Sequence, residues 1–497
     1  MTRHRSPSRR RAPGAPATLG APGTGTPGAP GTPGAPGTPG ASGALAGRGP
    51  RTVLTATALA ATMATVIAGC GGGSGTPGAA NTASLRPTAR TATVSVDDVN
   101  GATASPACAA KVKTLRMTGV TALNDVAKSA AAFMEKAHPG LKVEISATAG
   151  SYGQVKQQVA ADNAAGRPTD VAVAGFDDLR TFVTLGAQEI PARLLRASYD
   201  QRYLPMGQVD GKQYAIPQQV SIPVIAYNAD LLTQAGVDPA SLSTTTGLIA
   251  AGQKLKTKFP SIKPIDFPTS GFGQWFLNTF AQSAGGGIQG AGGAPTLTTA
   301  QVQSAAQVLA AVGKLGPQTA DSVQALLPFA AGKTAIIGAT IASVAGGLAA
   351  IANGSIAKPF AVHVLPLPTL PGGTQRPVAG GNGLVVLSKD ECQKEMADEF
   401  VVALLSPDAI AAAGLSVSFL PVDTAAAAKL APLYAKYPDL GALNKLVPSL
   451  VGPPSWPGAR GADVPDTISE AVVRIEKGQD VTKTLTATQK TVESYTK

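Results

Sequence analysis

The sequence predicts an α/β protein built from two domains, and three observations carry that expectation. From Lys111 onward, short apolar runs alternate with segments of helical spacing, the pattern of strand–helix–strand units. The chain beyond that point is roughly 390 residues long, more than one ordinary hydrophobic core organises. A hydrophobic fraction of 44% beside 14% charged residues is the composition of a chain that packs a core.

The first strand is expected at Lys111–Met117, followed by Thr118-Gly119. Thr121–Ala137 keeps apolar residues at helical spacing through Leu123, Val126, Ala130, Phe133 and Ala137. His138-Pro139-Gly140 stops that helix, because Pro cannot continue it. Leu141–Ser146 alternates apolar and polar residues, which predicts a strand with two unlike faces. A helix over Gln154–Ala165 and a fully apolar strand at Asp170–Ala174 complete an arrangement that implies a largely parallel sheet. Further strands are expected at Gln213–Ile216, Ile222–Tyr227, Ala335–Gly338, Ala361–Leu365 and Gly383–Leu387. Helices are expected at Thr244–Lys256, Thr298–Val312 and Lys389–Leu405. Ser388 with Glu391, and Thr298 with Gln301, have capping-box spacing and should start two of these helices.

The front of the chain is different in kind. Residues 1–51 hold seven arginines (3, 5, 9, 10, 11, 48 and 51), no acid, and Gly at every third position from 28 to 43. Pro and Gly without apolar residues bury no core, so this segment is expected to be disordered. Removing its charge leaves +11 − 7 = +4 from Cys70 onward, because residues 52–69 carry none. The remaining Lys and Arg are scattered, which argues against a nucleic-acid partner. An uncharged apolar run from Val53 to Ala68 follows Arg48 and Arg51 and ends in Ile67-Ala68-Gly69-Cys70. A basic flank, a short apolar core and small residues at a cleavage point make an export signal. The cysteine directly after them resembles a bacterial lipobox, which implies a lipid on Cys70 and an anchor on the outer face of the cell membrane. The run is too short for a spanning helix. Arg9-Arg10 lies too far upstream for an ordinary twin-arginine signal. Gly71 to about Ala110 is rich in Gly, Thr, Ala, Ser and Pro and reads as a flexible tether with a reach of roughly 35 Å. Cys108 and Cys392 remain in an oxidising compartment, which favours one disulfide over two separate buried thiols.

Catalysis finds little support. His138 stands at a helix end, a capping or surface position, so a Ser-His-Asp site would have to rest on His363, and no G-x-S-x-G elbow is present. No clustered His, Cys or carboxylates suggest a metal, and no cofactor is expected. Ala331-Gly332-Lys333-Thr334 lacks the first Gly of a phosphate loop. Asp170, Asp177 and Asp178 keep a glycosidase arguable, although Asp170 opens a strand where carboxylates usually cap or pair.

The motifs beyond residue 200 resemble a known family. Asp210-Gly-Lys-Gln-Tyr-Ala-Ile-Pro217, Ala226-Tyr-Asn-Ala-Asp-Leu-Leu232 and Ala235-Gly-Val237 are similar to the signature of extracellular solute-binding proteins of sugar-type ABC importers (family 1). Phe329 to Gly338, Leu365-Pro-Leu-Pro368, Gly372-Gly373, Gly380-Gly381, Leu387-Ser-Lys389, Phe400 to Ser406-Pro407 and Phe419-Leu-Pro-Val422 follow in the family's order. The resemblance implies a two-lobe, periplasmic-binding-protein-like (type II) α/β fold with a hinge and an interlobe cleft. Residues 111–220 and 378–425 would form lobe 1, and 221–377 and 426–497 lobe 2. By that topology Cys108 and Cys392 come near each other. The resemblance further implies a monomer that binds a small solute, most readily a sugar, and docks on ABC permease subunits in the membrane. Loops at the carboxyl ends of strands then supply candidate ligand contacts: Thr118, Ser151, Tyr152, Gly175, Phe176, Gln218, Gln219, Trp275, Gly381, Asn382 and Trp456. Trp275 and Trp456 read equally as packing residues. Aromatics make up only 4% of the chain, so a small oxoanion or phosphate ester stays open as ligand. A surface lipoprotein that binds cell wall or protein without transport is the alternative class.

Replacing Cys70 by Ser is expected to release the protein to the medium or leave it unprocessed. Membrane fractionation checks this, and detergent-resistant attachment of the variant would remove the anchor.

Overall fold

The computed structural model describes residues 92–497 apart from positions 100, 320, 321, 353 and 355. The export signal, Cys70 and the start of the tether lie outside the described residues. Eleven strands are described among them. They are β1 (Thr114–Val120), β2 (Lys142–Ala149), β3 (Val171–Gly175), β4 (Gln208–Val209), β5 (Lys212–Gln213), β6 (Ala215–Ser221), β7 (Pro223–Asn228), β8 (Lys263–Asp266), β9 (Thr334–Thr340), β10 (Val362–Pro366) and β11 (Gly380–Val386). The first sheet has the order β2-β1-β3-β11-β6 and the second β10-β7-β9-β8, while β4 and β5 form a hairpin.

The expected largely parallel sheet is in fact mixed. β1 runs parallel to β2 and β3, but β11 is antiparallel to both β3 and β6. The second sheet is antiparallel through β10, β7 and β9, with β8 parallel to β9. The reason is connectivity. β6 passes through Ile222 straight into β7, so the chain crosses between sheets without turning back. β11 returns from the second sheet and enters the first in the opposite direction.

Burial follows sequence periodicity. β3 is apolar throughout and buried throughout, since helices cover both of its faces. On β7, Val224 and Ala226 pack into one apolar cluster while Ile225 and Tyr227 pack into another on the opposite face, as a period of two requires. The first cluster takes in Met117, Val173, Phe182 and Phe400 and continues onto that face of the second sheet. The second holds Ile265, Phe276, Phe280 and Leu309. Leu430, Leu440, Leu443 and Val447 join the first cluster, and Trp456 and Val464 join the second.

Two local expectations are corrected. The tether read as flexible to about Ala110 is already folded from Val96. Helices Val96–Val99 and Pro106–Lys111 lie there, with Val99 and Cys108 buried. Small residues gave this stretch the look of a linker, yet they dock closely on helix Glu391–Leu404. Ala104 N donates to Glu399 Oε2 at 2.8 Å, and Ser105 Oγ donates to Glu395 Oε2 at 2.8 Å. Cys108 and Cys392 are joined by a disulfide with Cα atoms 4.6 Å apart. The capping boxes also shift. Asp390, not Ser388, caps helix Glu391–Leu404, because Ser388 Oγ donates to Asp170 Oδ1 at 2.8 Å. Helix Ala300–Leu315 starts at Thr299 without a side-chain cap, and Thr298 bonds to Gln489 instead.

Glu476 ends helix Val464–Glu476 and accepts a hydrogen bond from Thr269 Oγ1. Burial pushes its pKa up to about 8 from the ordinary 4.5, against the Thr269 hydrogen bond and helped by the charge of Asp266. A carboxyl with a raised folded pKa disfavours the ionised fold. Its penalty is therefore absent below about pH 4.5, grows toward pH 8 and is complete above. Glu476→Gln is expected to match the wild type in melting temperature near pH 4 and exceed it near pH 8.5. Melting curves across that range check it, and parallel curves would refute the assignment.

Candidate functional site

The seam between the two sheets is where the polar candidates gather. Register sets the first of them in a row. Asn382 of β11 lies opposite Gly175 of β3 on one side and Gln219 of β6 on the other. Tyr152 opens helix Tyr152–Ala164, which Ser151 caps by accepting from Gln154 N, and the Tyr152 ring lies against Gly175. A Cβ at position 175 would fall 2.9 Å from that ring, so Gly is required there. Asn382 Nδ2 donates to Tyr152 Oη at 2.9 Å and to Gln219 Oε1 at 2.7 Å. Asn382 is fully buried and Gln219 is 2% exposed. Gln219 Nε2 and Asn382 Oδ1 nevertheless lack a protein partner.

Side-chain amide orientation is assigned from the hydrogen-bond network. Turning both amides leaves the same count, one orphan donor and one orphan acceptor. Buried orphans of this kind cost free energy unless something else meets them. Gly381 makes the approach of β11 to β6 possible. Its φ is +116°, and a Cβ there would stand 2.0 Å from Gln219 O.

Charge frames this row. Asp177 follows β3 in the short turn Phe176–Asp178 and is exposed to solvent, yet protein closes around its carboxyl. That burial, with the charge of Asp178 added and Lys156 opposing, raises its pKa to about 7. Asp178 forms an ion pair with Lys156. From helix Val464–Glu476, Asp466 faces the same group. Burial raises its pKa, Glu470, Asp463 and Asp178 add to the rise, and Lys156 counters it. The seam is therefore acidic on both sides, and its lysine is already paired.

The other candidates stand elsewhere. Thr118 shares a hydrogen bond with Thr169 inside the first sheet, and Phe176 is core. Gln218 points to the opposite face of β6, where its Nε2 donates to Leu404 O at 3.2 Å. Trp275 is 6% exposed, its Nε1 donates to Val378 O at 2.8 Å, and its ring fills the space beside Gly380. Trp456 is 4% exposed and its Nε1 lacks a partner. Asp170 is held by Arg116 N and Ser388 Oγ, a structural position, with its pKa raised by burial. His138 contacts Glu399 and His363 contacts Asp439, each at 2.9 Å. Among the described residues no group of three or more His, Cys, Asp or Glu is placed to hold a metal, and no helix is long and apolar enough to cross a membrane. Asp466 escaped the sequence reading, and Asp177 entered it only as a glycosidase acid. The approach of Asp466 to the Lys156–Asp178 pair has no local sequence signal.

A family model for bacterial extracellular solute-binding proteins matches residues 118–411, more than half of the 497. The chain belongs to that family. No curated protein matches the sequence. Solved structures share the two-lobe fold. The cyclic alpha-maltosyl-1,6-maltose binding protein of Arthrobacter globiformis is 18% identical with a TM-score of 0.64, over 77% of this chain and 99% of that one. UgpB of Mycobacterium tuberculosis, in complex with glycerophosphocholine, is 20% identical with a TM-score of 0.65, over 77% and 98%. Maltose-bound MalE3 of T. maritima is 20% identical with a TM-score of 0.62, over 77% and 99%. At these identities the likeness establishes the fold. In this solute-binding protein the seam between lobes is the site the fold offers.

Trp275→Ala should cost ~3–5 kcal/mol of folding stability, the price of a cavity in the second core. Solute affinity of the folded variant should be nearly unchanged. Chemical denaturation beside a binding titration checks this, and lost affinity at intact stability would return the ring to the site.

Proposed function

We propose that this protein is a lipid-anchored extracellular solute-binding subunit that captures a neutral, polyhydroxylated solute, most simply a sugar, and delivers it to the permease of an ABC importer. Residues 111–220 with 378–425, and 221–377 with 426–497, approximate its two lobes. They close by rotation about the crossing segments and trap the solute between them.

The observation that carries the reading is the orphan pair at Gln219 and Asn382. A hydroxyl can both donate and accept, so a polyhydroxylated solute can meet an orphan donor and an orphan acceptor alike. An oxoanion only accepts, and would leave Asn382 Oδ1 facing negative charge. The acidic seam opposes an anion further, since Lys156 is engaged by Asp178 and Arg180 by Asp210. Asp177, with its pKa raised to about 7, adds a carboxyl that can accept from solute hydroxyls when ionised and donate when protonated. Relatives of the same fold include proteins solved with maltose and with glycerophosphocholine, so the phosphate-ester alternative belongs in the test.

Thermal-shift screening of the unlipidated chain against neutral sugars, polyols, phosphate esters and peptides tests the proposal. Stabilisation by a neutral sugar or polyol is expected, and Gln219→Ala or Asn382→Ala should weaken that solute at least ~10-fold, about 1.4 kcal/mol. Response to phosphate esters alone would overturn the ligand class. Response to none, with no compaction in solution scattering, would favour the surface lipoprotein that binds wall or protein.

A further inference from the structure

The Asp210-Gly211 turn is a motif that solute recognition leaves unused. It closes the β4–β5 hairpin with Asp210 at φ +51° and Gly211 at φ +79°. Both residues are left-handed, as a two-residue hairpin turn of this type demands, and a non-Gly residue is held there at some cost. The turn lifts the Asp210 carboxylate toward Arg180 of helix Leu179–Thr184. Arg180 Nη1 and Nη2 donate to the two Asp210 oxygens at 2.9 and 2.8 Å, a bidentate fork that fixes the guanidinium plane. The remaining donor, Nε, points the other way and donates to Ser455 Oγ at 3.3 Å.

Ser455 belongs to the other side of the seam. It sits in Pro453-Pro454-Ser455-Trp456-Pro457, the last stretch before helix Val464–Glu476. Ser455 N donates to Gln289 Oε1, and Gln289 Nε2 donates back to Ser455 O, both at 2.9 Å. Trp456, its neighbour, is packed in the second core. One lobe therefore grips Ser455 by its backbone, and Arg180 reaches its hydroxyl from the other.

We propose that Arg180, aimed by Asp210, is a strap that closes onto Ser455 and holds the two lobes together at the edge of the seam. The inference rests on the two-lobe solute-binding reading, but it does not depend on which solute is bound. Arg180 and Asp210 are positioning residues, because neither is placed in the Gln219–Asn382 row. The strap is a weak one by design of its surroundings. Asp210 is largely exposed, and exposed pairs stabilise by at most about 1 kcal/mol. That corresponds to a shift of up to ~5-fold in an opening equilibrium, enough to tune opening while leaving the fold alone.

The test measures lobe separation without solute, on full-length protein with Cys70→Ser, which removes the remaining free thiol, and spin labels at the exposed positions Gln157→Cys and Lys490→Cys. The distance distribution of this doubly labelled protein is compared with that of the same protein also carrying Ser455→Ala, Arg180→Ala or Asp210→Asn. The expected result is a ~2–5-fold larger population of long distances in all three, at wild-type melting temperature. Arg180→Lys should restore little, because an ammonium cannot serve Asp210 and Ser455 with one rigid plane. An unchanged distribution in Ser455→Ala and Arg180→Ala would overturn the strap even if a sugar binds normally. Wider separation in Arg180→Ala alone, with Ser455→Ala unchanged, would assign Arg180 to hairpin packing and equally overturn it. Loss of sugar binding in the Asn382→Ala variant at unchanged distances bears on the solute site and leaves the strap standing.

Discussion

Asn382 can meet Tyr152 and Gln219 together only because β11 enters the first sheet between β3 and β6 and antiparallel to both. The position is set by the chain's return from the second sheet. It is made physically possible by two glycines that take the place of side chains. Gly381 lets the strand pass within contact of the Gln219 carbonyl, and Gly380 leaves room for the Trp275 ring. A Cβ at either place would push β11 away, and the row of amides would separate. The polar site and the apolar core of the second lobe thus share one strand, with neighbouring residues serving each.

The seam and the crossing region have opposite chemistry. At the crossing, Ile222 is fully buried and the first apolar cluster continues from one sheet onto a face of the other. Across the seam the partners are carboxylates, a lysine, amides and a serine. Apolar packing resists separation because it would expose surface to water. Polar contacts exchange with water at little net cost. The proposed opening of the lobes uses that contrast, with the polar seam parting and the apolar crossing staying joined.

Much of the fold was legible because its signals are local. Val171 to Ala174 reads as a strand buried on both faces, and it is one. Pro139 ends a helix whose last residue is Ala137. What misled depends on partners distant in sequence. Ser388 has the spacing of a cap, but Asp170, 218 residues away, claims its hydroxyl. Residues 96–110 have the composition of a linker, yet a helix nearly 300 residues later supplies their partners, as Ala104 and Glu399 show at a separation of 295. The site divides in the same way. Tyr152, Gly175, Gln219, Gly381 and Asn382 stand at strand ends and helix starts, which sequence periodicity locates. Thr118 and Gln218 lie on strands of the same sheet, but Thr118 pairs with Thr169 and Gln218 Nε2 donates to Leu404 O, away from the amide row. Asp466 lacked any local cue, because its role comes from what lies opposite.

The disulfide between Cys108 and Cys392 decides where a pull on the chain is felt. Tension arriving from the N-terminal side meets a covalent bond to helix Glu391–Leu404, reinforced by Glu395 and Glu399, before it reaches β1. The load is therefore borne by a helix packed under the first sheet, and the strands that carry the amide row stay unloaded. The second sheet hangs beyond them, joined through Ile222 and its companion crossings. Like a gate hung from a fixed post, it would swing in the proposed opening while the post takes the strain.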